Sequence, residues 1–312
     1  MKYFSIPSAV ILSASGPHAE RYLQIRLTND LKQLTAQRAL QAAALTPQGR
    51  TEALFTVFSV APNSYMLIAD GGNPQVVLEG LTRFVVTERI EFRDVSSEYV
   101  LIHMIPNREK EDMGAFVPVA PSHGHDFSRV SAGSIQFISR QRSAEQGWDI
   151  VVPREQSAAF ISRLVEKKAV EISSAEQELL RLRAGIPMFP VEIGPEHIFS
   201  ESGLTQAISF TKGCYTGQEV IAKIDALGKP PRRLLQLKLA GAKAISQKAP
   251  VEAEGETRSA GEILSSAVDQ ESECTWAFAS IRSSIDTTKV AISVEGRSAT
   301  VGASVAAAAR ME

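Results

Sequence analysis

The sequence predicts an α+β fold that is followed by a small all-β module. Up to residue 233, stretches with helical apolar spacing lie among short apolar runs that are typical of strands. The two kinds of stretch do not alternate strictly, which disfavours a doubly wound parallel sheet. After Pro230 and Pro231 the helical spacing stops, and short strands with glycine-bearing turns follow. We therefore predict two domains, residues 1–233 and residues 234–312.

Local patterns predict the individual elements. An N-terminal strand is followed by a helix that begins after Pro17. Apolar runs at 39–45 and 53–60 flank T-P-Q-G-R at 46–50, where proline and glycine favour a turn between two strands. Further helices are predicted at 75–84, 156–168 and 174–184. Further strands are predicted at 65–69, 98–104, 134–139, 148–152, 234–239, 263–264, 276–281 and 289–294.

Length and composition exclude several classes of protein. The 312 residues are 44% hydrophobic with a formal net charge of -2, so the chain can bury a core and is not disordered. This charge balance gives no general attraction to nucleic acid, and we expect no direct nucleic-acid binding. No apolar run approaches the roughly 20 residues that cross a bilayer, and the N-terminus has no signal-peptide pattern. Two cysteines make no disulfide framework, so we expect a cytoplasmic protein without a membrane partner.

The segment 212–219, K-G-C-Y-T-G-Q-E, contains the residue best suited to chemistry. Glycines on both sides of Cys214 and Tyr215 indicate a turn, and a helical pattern follows. A helix N-terminus and the cation of Lys212 would both favour the thiolate, which is the nucleophile and metal ligand. The alternative is a small cysteine packed in a tight turn. Cys274 has no comparable surroundings on its predicted strand, and we expect it to be structural.

The same segment resembles the signature K-G-C-Y-x-G-Q-E of the YgfZ family of folate-binding proteins. The resemblance extends from about Tyr22 to about Leu239 and includes four further motifs. These are L-T-N-D-L at 27–31, L-T-P-Q-G-R at 45–50, R-L-R-A-G-I-P at 181–187 and F-S-E-S-G-L at 199–204. The YgfZ family is similar to the T-protein of glycine cleavage, an aminomethyltransferase.

The resemblance implies a T-protein-like fold, a three-part ring-like arrangement with tetrahydrofolate in its central hole. Residues 1–233 would form the folate-binding region as two intertwined α+β subdomains. Residues 234–312 would form a small C-terminal β-barrel. This agrees with the mixed pattern followed by short strands that the residues themselves predict.

The resemblance also implies a set of folate-binding residues. Glu201 matches the carboxylate that accepts hydrogen bonds from the aminopyrimidine edge of the pterin. Phe189 would either stack on folate or pack in the core, and Arg181 would either contact folate or serve as a structural partner. Tyr215 and Gln218, both in the signature segment, complete the expected folate-binding set.

Three functions are compatible with these residues. The first, implied by the resemblance, is a tetrahydrofolate-dependent factor for iron–sulfur cluster assembly or repair, which would affect tRNA modification through cluster enzymes. Cys214, with Lys212 beside it, would act on or transiently hold sulfur or iron, and iron–sulfur proteins or assembly factors would be the partners. The second is an aminomethyltransferase in which Glu52 handles the proton. The third is a folate-binding module in which Cys214 is structural.

Departures from the family patterns bear on these alternatives. The T-protein has an Asp-Asp pair where this chain has T-E-A at 51–53, and it lacks the K-G-C-Y motif. Both points weigh against aminomethyl transfer, since catalytic geometry tolerates little change in reach. The sequence H-G-H-D at 123–126 contains metal-ligand residue types but lies in a predicted loop, so we predict no metal site. Arg140 and G-W-D at 147–149 are expected to be architectural.

Overall fold

A computed structural model describes residues 1–106, 116 and 127–302 of the chain. Within these residues there are five α-helices and seventeen β-strands. The helices are α1 (Ala19–Arg26), α2 (Pro74–Thr82), α3 (Arg154–Glu166), α4 (Ser174–Arg183) and α5 (Gln218–Ala226). The strands are β1 (Lys2–Ser5), β2 (Val10–Ser15), β3 (Leu40–Leu45), β4 (Thr51–Ala61), β5 (Ser64–Ala69), β6 (Glu91–Asp94), β7 (Tyr99–Ile105), β8 (Arg129–Ala132), β9 (Ile135–Gln141), β10 (Gln146–Pro153), β11 (Val170–Glu171), β12 (Arg232–Ala240), β13 (Pro250–Ala253), β14 (Gly261–Asp269), β15 (Cys274–Arg282), β16 (Ile292–Val294) and β17 (Arg297–Val301).

The chain divides into two compact units, neither of which is one continuous stretch. The first unit comprises Met1–Thr46, Glu52–Ser173 and Ala207–Thr216. The second unit comprises Pro47–Thr51, Ser174–Gln206 and Gly217–Glu312. The boundary predicted at residue 233 falls inside strand β12. This strand belongs to the same unit as the 174–206 segment. The division into domains 1–233 and 234–312 stays a prediction.

Two sheets form the scaffold of the first unit. The six-stranded sheet has the order β11-β1-β7-β10-β9-β8, and the five-stranded sheet has the order β3-β4-β5-β2-β6. Side chains from strands of both sheets pack in one core, which includes Ile11, Phe58, Ile68, Leu101, Ile138 and Val151. Each sheet thereby removes an apolar face from water, which is the main favourable contribution to folding.

The six-stranded sheet is apolar on both faces. In β10, Val151 packs toward the five-stranded sheet, whereas its neighbour Ile150 belongs to a second core. That second core includes Phe160 and Leu164 of α3, both buried. Because side chains alternate along a strand, a strand that is covered on both sides is continuously apolar, as 150–152 is.

A buried cluster of charges joins the two sheets. Asp70 follows β5 of the five-stranded sheet, whereas Arg140 in β9 and Asp149 in β10 belong to the six-stranded sheet. Arg140 lies 2.6 Å from Asp70 and 3.2 Å from Asp149, and Arg142 lies 2.6 Å and 2.7 Å from the same two carboxylates. Burial raises the pKa of Asp149, but the charges of Arg142 and Arg140 outweigh it and hold the pKa well below its usual range. The cluster agrees with the architectural role expected for Arg140 and 147–149.

The second unit is built around a closed barrel with the strand order β12-β15-β14-β13-β16-β17. Its interior is filled by small and branched apolar side chains, among them Leu237, Leu239, Val251, Ile263, Ala279, Ile281 and Val294. Cys274 begins β15 and is 3% exposed, which agrees with the structural role expected for it. The α+β fold class with a C-terminal barrel is therefore confirmed. Among the described residues, no helix combines the length and the apolar character that a bilayer span requires.

We expect Asp149→Ala to lower the free energy of unfolding by about 3–5 kcal/mol, because it leaves two arginines buried without one of their carboxylates. Glu98→Ala is the matched control in the same unit, since its 3.3 Å pair with Arg93 is exposed and should contribute at most about 1 kcal/mol. Urea denaturation followed by circular dichroism measures both. Equal effects of the two substitutions would contradict the stabilising role of the cluster.

Candidate functional site

The segment before α5, which includes Cys214, is hydrogen-bonded to the segment after α1. Thr28 Oγ1 donates to the carbonyl oxygen of Ala207 at 2.6 Å, and Ser209 N donates to Thr28 O at 3.0 Å. Farther along, Thr216 N donates to Ile25 O at 3.1 Å. These bonds fix both ends of the loop that contains Cys214. The T-N-D and K-G-C-Y motifs are far apart in the chain, with 183 positions between the bonded residues Asn29 and Lys212, yet they form one local structure within the first unit.

The Lys212 side chain also holds this loop against the segment after α1. Its ammonium donates to the carbonyl oxygens of Leu27 at 2.8 Å and Asn29 at 2.7 Å, and it lies 5.5 Å from the centre of the Tyr215 ring. Burial lowers the pKa of Lys212 to about 8. A neutral amine still has two N–H groups, so both carbonyls retain a donor after deprotonation. The N–H groups of Lys212 thus donate to main-chain carbonyl oxygens. That Lys212 favours the thiolate form of Cys214 stays a prediction.

Cys214 itself is exposed, in contrast to Cys274. A Cβ added to the neighbouring Gly213 would meet no described atom within 4 Å, so this side of the loop is open. Helix α5 begins at Gln218, and Gly217 before it has a left-handed φ of 84° that favours glycine. The predicted turn into a helix is therefore present, and the thiol lies on the turn rather than in the helix. The neighbouring Tyr215 is buried, which raises its pKa to about 12.

Glu201 lies in the second unit, on a short 3₁₀ turn (Phe199–Ser202). Two backbone bonds hold this turn against the 47–51 segment: Phe199 N donates to Gly49 O at 2.9 Å, and Thr51 N donates to His197 O at 3.2 Å. The Glu201 side chain is 9% exposed, and burial raises its pKa. The backbone N–H groups of Ile198 and Arg232 already donate to this carboxylate, which leaves further lone pairs for a ligand.

Glu201 lines a narrow pocket between the 192–202 segment and barrel strands. The lining residues are Glu192, Ile193, His197, Ile198, Glu201, Ser202, Leu234, Leu264 and Ser280. His197 is half-buried, burial lowers its pKa, and its Nδ1 has no hydrogen-bond partner among the described residues. The sequence analysis missed His197. No local signal distinguished it, because polar residues such as Glu196 and Ser200 lie on both sides of it.

The Arg181 side chain uses all five of its N–H donors within the second unit. It bonds both carboxylate oxygens of Glu178 at 2.6 and 2.7 Å, both of Glu192 at 2.8 and 3.0 Å, and the carbonyl oxygen of Ile186 at 3.1 Å. A guanidinium has no further donor to offer a ligand. Of the two roles that the sequence left open, this geometry favours the structural one. Phe189 is 3% exposed, which favours packing.

Glu52 lies in the first unit between two arginines. Arg26, which is almost fully buried, bonds one oxygen of the carboxylate, and Arg83 lies 2.8 Å from the other. Arg26 also donates to Leu45 O at 2.8 Å and Gly80 O at 2.9 Å, so it is fixed in place. Both oxygens of Glu52 are therefore bound by arginines, which disfavours direct contact between this carboxylate and a substrate.

The predicted site residues thus fall into separate groups. Lys212, Cys214 and Tyr215 share one loop of the first unit, whereas Glu52 lies in an ion pair elsewhere in that unit. Glu201, Arg181, Phe189 and Gln218 belong to the second unit, where Gln218 is the first residue of α5. The described part of the chain contains no group of three metal-ligating side chains. The H-G-H-D sequence at 123–126 lies outside the described residues.

A family model described as the GCVT N-terminal domain matches residues 8–212. The chain belongs to this family. The match includes the T-N-D segment and ends at Lys212, two residues before Cys214. The family assignment therefore rests on the α+β region and not on the cysteine.

Individual relatives agree with this assignment. The tRNA-modifying protein YgfZ of Colwellia psychrerythraea is 25% identical over 72% of this chain and 68% of its own length. An aminomethyltransferase of Herpetosiphon aurantiacus is also 25% identical, over 80% and 70%. The crystal structure of the glycine cleavage system aminomethyltransferase T from Bartonella henselae superimposes with a TM-score of 0.83 at 18% identity, and covers 98% of this chain and 85% of that one. The resemblance inferred from the motifs is confirmed, as is the fold.

We expect one fast-reacting thiol per native chain, because Cys214 is exposed and Cys274 is buried in the barrel. Titration with a disulfide reagent such as DTNB measures this, and both thiols should react in denaturant. Cys214→Ser should abolish the fast phase and Cys274→Ser should leave it unchanged. A native protein without a fast thiol would contradict the exposed position of Cys214 and favour a structural cysteine.

We expect the stability of the wild type relative to Lys212→Met to rise with pH between about 8 and 10.5. The pKa of Lys212 is lower in the folded chain than in the unfolded chain. Within this window the unfolded state therefore binds more protons, and the free energy of unfolding rises with pH. Urea denaturation of both proteins at several pH values measures the difference. A difference that stays constant across this window would contradict the burial of the ammonium.

Proposed function

We propose that the chain binds tetrahydrofolate and uses the thiol of Cys214 to support iron–sulfur cluster assembly or repair. The observation that carries this proposal is the exposed Cys214 on a loop that Lys212 and Thr28 hold in place, in a member of the GCVT N-terminal domain family. A cysteine kept for packing would be buried, as Cys274 is.

The second unit supports the folate part of the proposal. Glu201 offers a buried carboxylate that can accept N–H groups from an aminopyrimidine ring, and it lines a narrow pocket that also has a buried ring nitrogen without a partner in His197. The ring nitrogen without a partner and the carboxylate, which also accepts from the backbone N–H groups of Ile198 and Arg232, fit a ring with several N–H donors. Glu201 would hold the ring, and Gln218, in the same unit, is a further candidate. Bound tetrahydrofolate would supply a reduced carrier of one-carbon units.

The chemistry of the thiol supports the cluster part. A thiolate is a soft ligand that suits iron–sulfur species. One cysteine cannot hold a cluster alone, so a contact with sulfur or iron would be transient or shared with an iron–sulfur protein or an assembly factor. An effect on tRNA modification, the activity in the name of the Colwellia relative, would then arise through enzymes that need clusters.

Aminomethyl transfer is less well supported. Some relatives are named aminomethyltransferases, but the carboxylate that would handle the proton here, Glu52, is bound by Arg26 and Arg83. An acid or base must lie within hydrogen-bond distance of the proton that it transfers, and the two arginines already occupy both oxygens of Glu52. The exposed thiol has no part in that reaction.

In a strain that lacks this protein, we expect Cys214→Ala to restore iron–sulfur enzyme activity no better than an empty vector. Glu201→Gln keeps the thiol and should also lose most of the restoring activity, because a neutral amide weakens the bond to the ring. Cys274→Ala is the matched control and should restore wild-type activity. Immunoblotting verifies equal amounts of protein.

Full restoration by Cys214→Ala at equal protein level would overturn the role of the thiol. Full restoration by Glu201→Gln would overturn the role of the folate site. Turnover of an aminomethyl-loaded lipoyl carrier protein by the purified chain would favour the transferase instead.

A further inference from the structure

Several buried polar atoms of the second unit have no hydrogen-bond partner among the described residues, and one of them, on His197, lies beside a pocket. The Nδ1 atom of His197 is inaccessible to solvent and has no hydrogen-bond partner among the described residues. The backbone of His197 is firmly held, since its N donates to Gly194 O at 3.0 Å and its carbonyl oxygen accepts from Thr51 N at 3.2 Å. These two backbone hydrogen bonds fix the position from which the imidazole ring of His197 extends. A buried nitrogen without a partner destabilises a fold, so such an atom needs an explanation.

The pocket beside His197 offers that explanation. His197 and Glu201 line the same narrow pocket, together with Ser202 and Ser280. The two serines are already engaged: Ser202 Oγ donates to Phe199 O at 2.7 Å, and Ser280 Oγ accepts from Arg232 Nε at 2.9 Å. The described lining residues give His197 Nδ1 no partner, so a molecule in the pocket, either a water or a ligand group, would supply one. Because the pocket is narrow, a small polar group or the edge of a ring fits it better than a whole ring.

The protonation states of His197 and Glu201 determine which chemical group can bind in the pocket. Burial lowers the pKa of His197, so its imidazole is neutral near pH 7 and has a lone pair on one ring nitrogen. Glu201 contributes carboxylate oxygens, which accept hydrogen bonds. This carboxylate already accepts from the backbone N–H groups of Ile198 and Arg232, but a carboxylate has about four lone-pair sites. Its remaining lone pairs and His197 Nδ1 suit a group with two N–H donors.

We propose that His197 Nδ1 and the Glu201 carboxylate together bind the exocyclic amino group of the pterin, which makes His197 a specificity-determining residue. This inference rests on the proposed folate site. A primary amino group has two N–H donors, one for each acceptor. The pocket then selects aminopyrimidine rings against analogues in which another group replaces the amino group.

The test compares two ligands on three proteins by isothermal titration calorimetry. The ligands are tetrahydrofolate and its analogue with a methyl group in place of the exocyclic amino group. The proteins are the wild type, His197→Leu and His197→Asn, whose amide oxygen can accept in place of Nδ1. We expect His197→Leu to bind tetrahydrofolate about tenfold more weakly, the effect of one hydrogen bond, and His197→Asn to recover most of this loss. The methyl analogue should bind the wild type and His197→Leu about equally.

The melting temperature of the ligand-free proteins gives a second readout. We expect His197→Leu to melt at a higher temperature than the wild type, because it removes an unsatisfied buried nitrogen. His18→Leu is the matched control in the first unit, since its Nδ1 accepts from Arg89 N at 3.0 Å. It should melt at a lower temperature and bind tetrahydrofolate as the wild type does.

The outcomes separate this inference from the function on which it rests. If the wild type does not bind tetrahydrofolate, the folate site fails and the inference fails with it. If the wild type binds but His197→Leu binds equally well, or discriminates against the methyl analogue as the wild type does, the folate site stands and the role of His197 is overturned.

Discussion

The position of Cys214 depends on an ammonium group that is bound to two main-chain oxygens. Lys212 bonds the carbonyls of Leu27 and Asn29, and Thr28 between them bonds the chain at Ala207. These contacts hold the loop while Cys214 stays exposed, with open space at the neighbouring Gly213. An exposed cysteine on an otherwise mobile loop would sample many positions, whereas here the backbone around it is specified. Burial lowers the pKa of this lysine, which is the cost of placing it in the loop.

In both units, buried guanidinium groups bond carboxylates and thereby fix the positions of neighbouring elements. In the first unit, Arg140 and Arg142 join two sheets through Asp70 and Asp149. In the second unit, Arg181 at the end of α4 holds Glu192, which also accepts from the hydroxyl of Ser265 in β14. Arg140 and Arg142 directly bond Asp70, which follows β5 of the other sheet, whereas Arg181 is linked to β14 through Glu192. Since removal of one partner leaves an uncompensated charge, such contacts specify the arrangement of the elements more than they increase stability.

The sequence predicted the elements with strong periodicity and missed the short polar ones. The helices predicted at 156–168 and 174–184 were found within a few residues, since Phe160, Leu164 and Leu182 mark their buried faces. Strands β6, β8 and β11 were not predicted, because four residues or fewer with mixed polarity give no readable alternation. Their pairing comes from neighbours elsewhere in the chain, which a local pattern cannot contain.

The candidate site was predictable as residue types but not as contacts. The motif predicted a turn at Cys214 and a helix after it, and both are present. The sequence suggested that Lys212 acts on the thiol, yet its donors are directed at Leu27 and Asn29, because burial among carbonyls is a tertiary property. His197 was missed for the same reason. It is of interest because its Nδ1 has no partner among the described residues, and the absence of a hydrogen bond cannot be read from a sequence.

The main-chain acceptors of Lys212 have an evolutionary consequence. Any amino acid at positions 27 and 29 presents a carbonyl oxygen, so mutations there leave the lysine its acceptors. Lys212 would then be retained without compensating substitutions at either partner, and correlated mutation between aligned sequences would not reveal the contact. Descendants of this chain can exchange the side chains of that segment while the cysteine loop keeps its attachment.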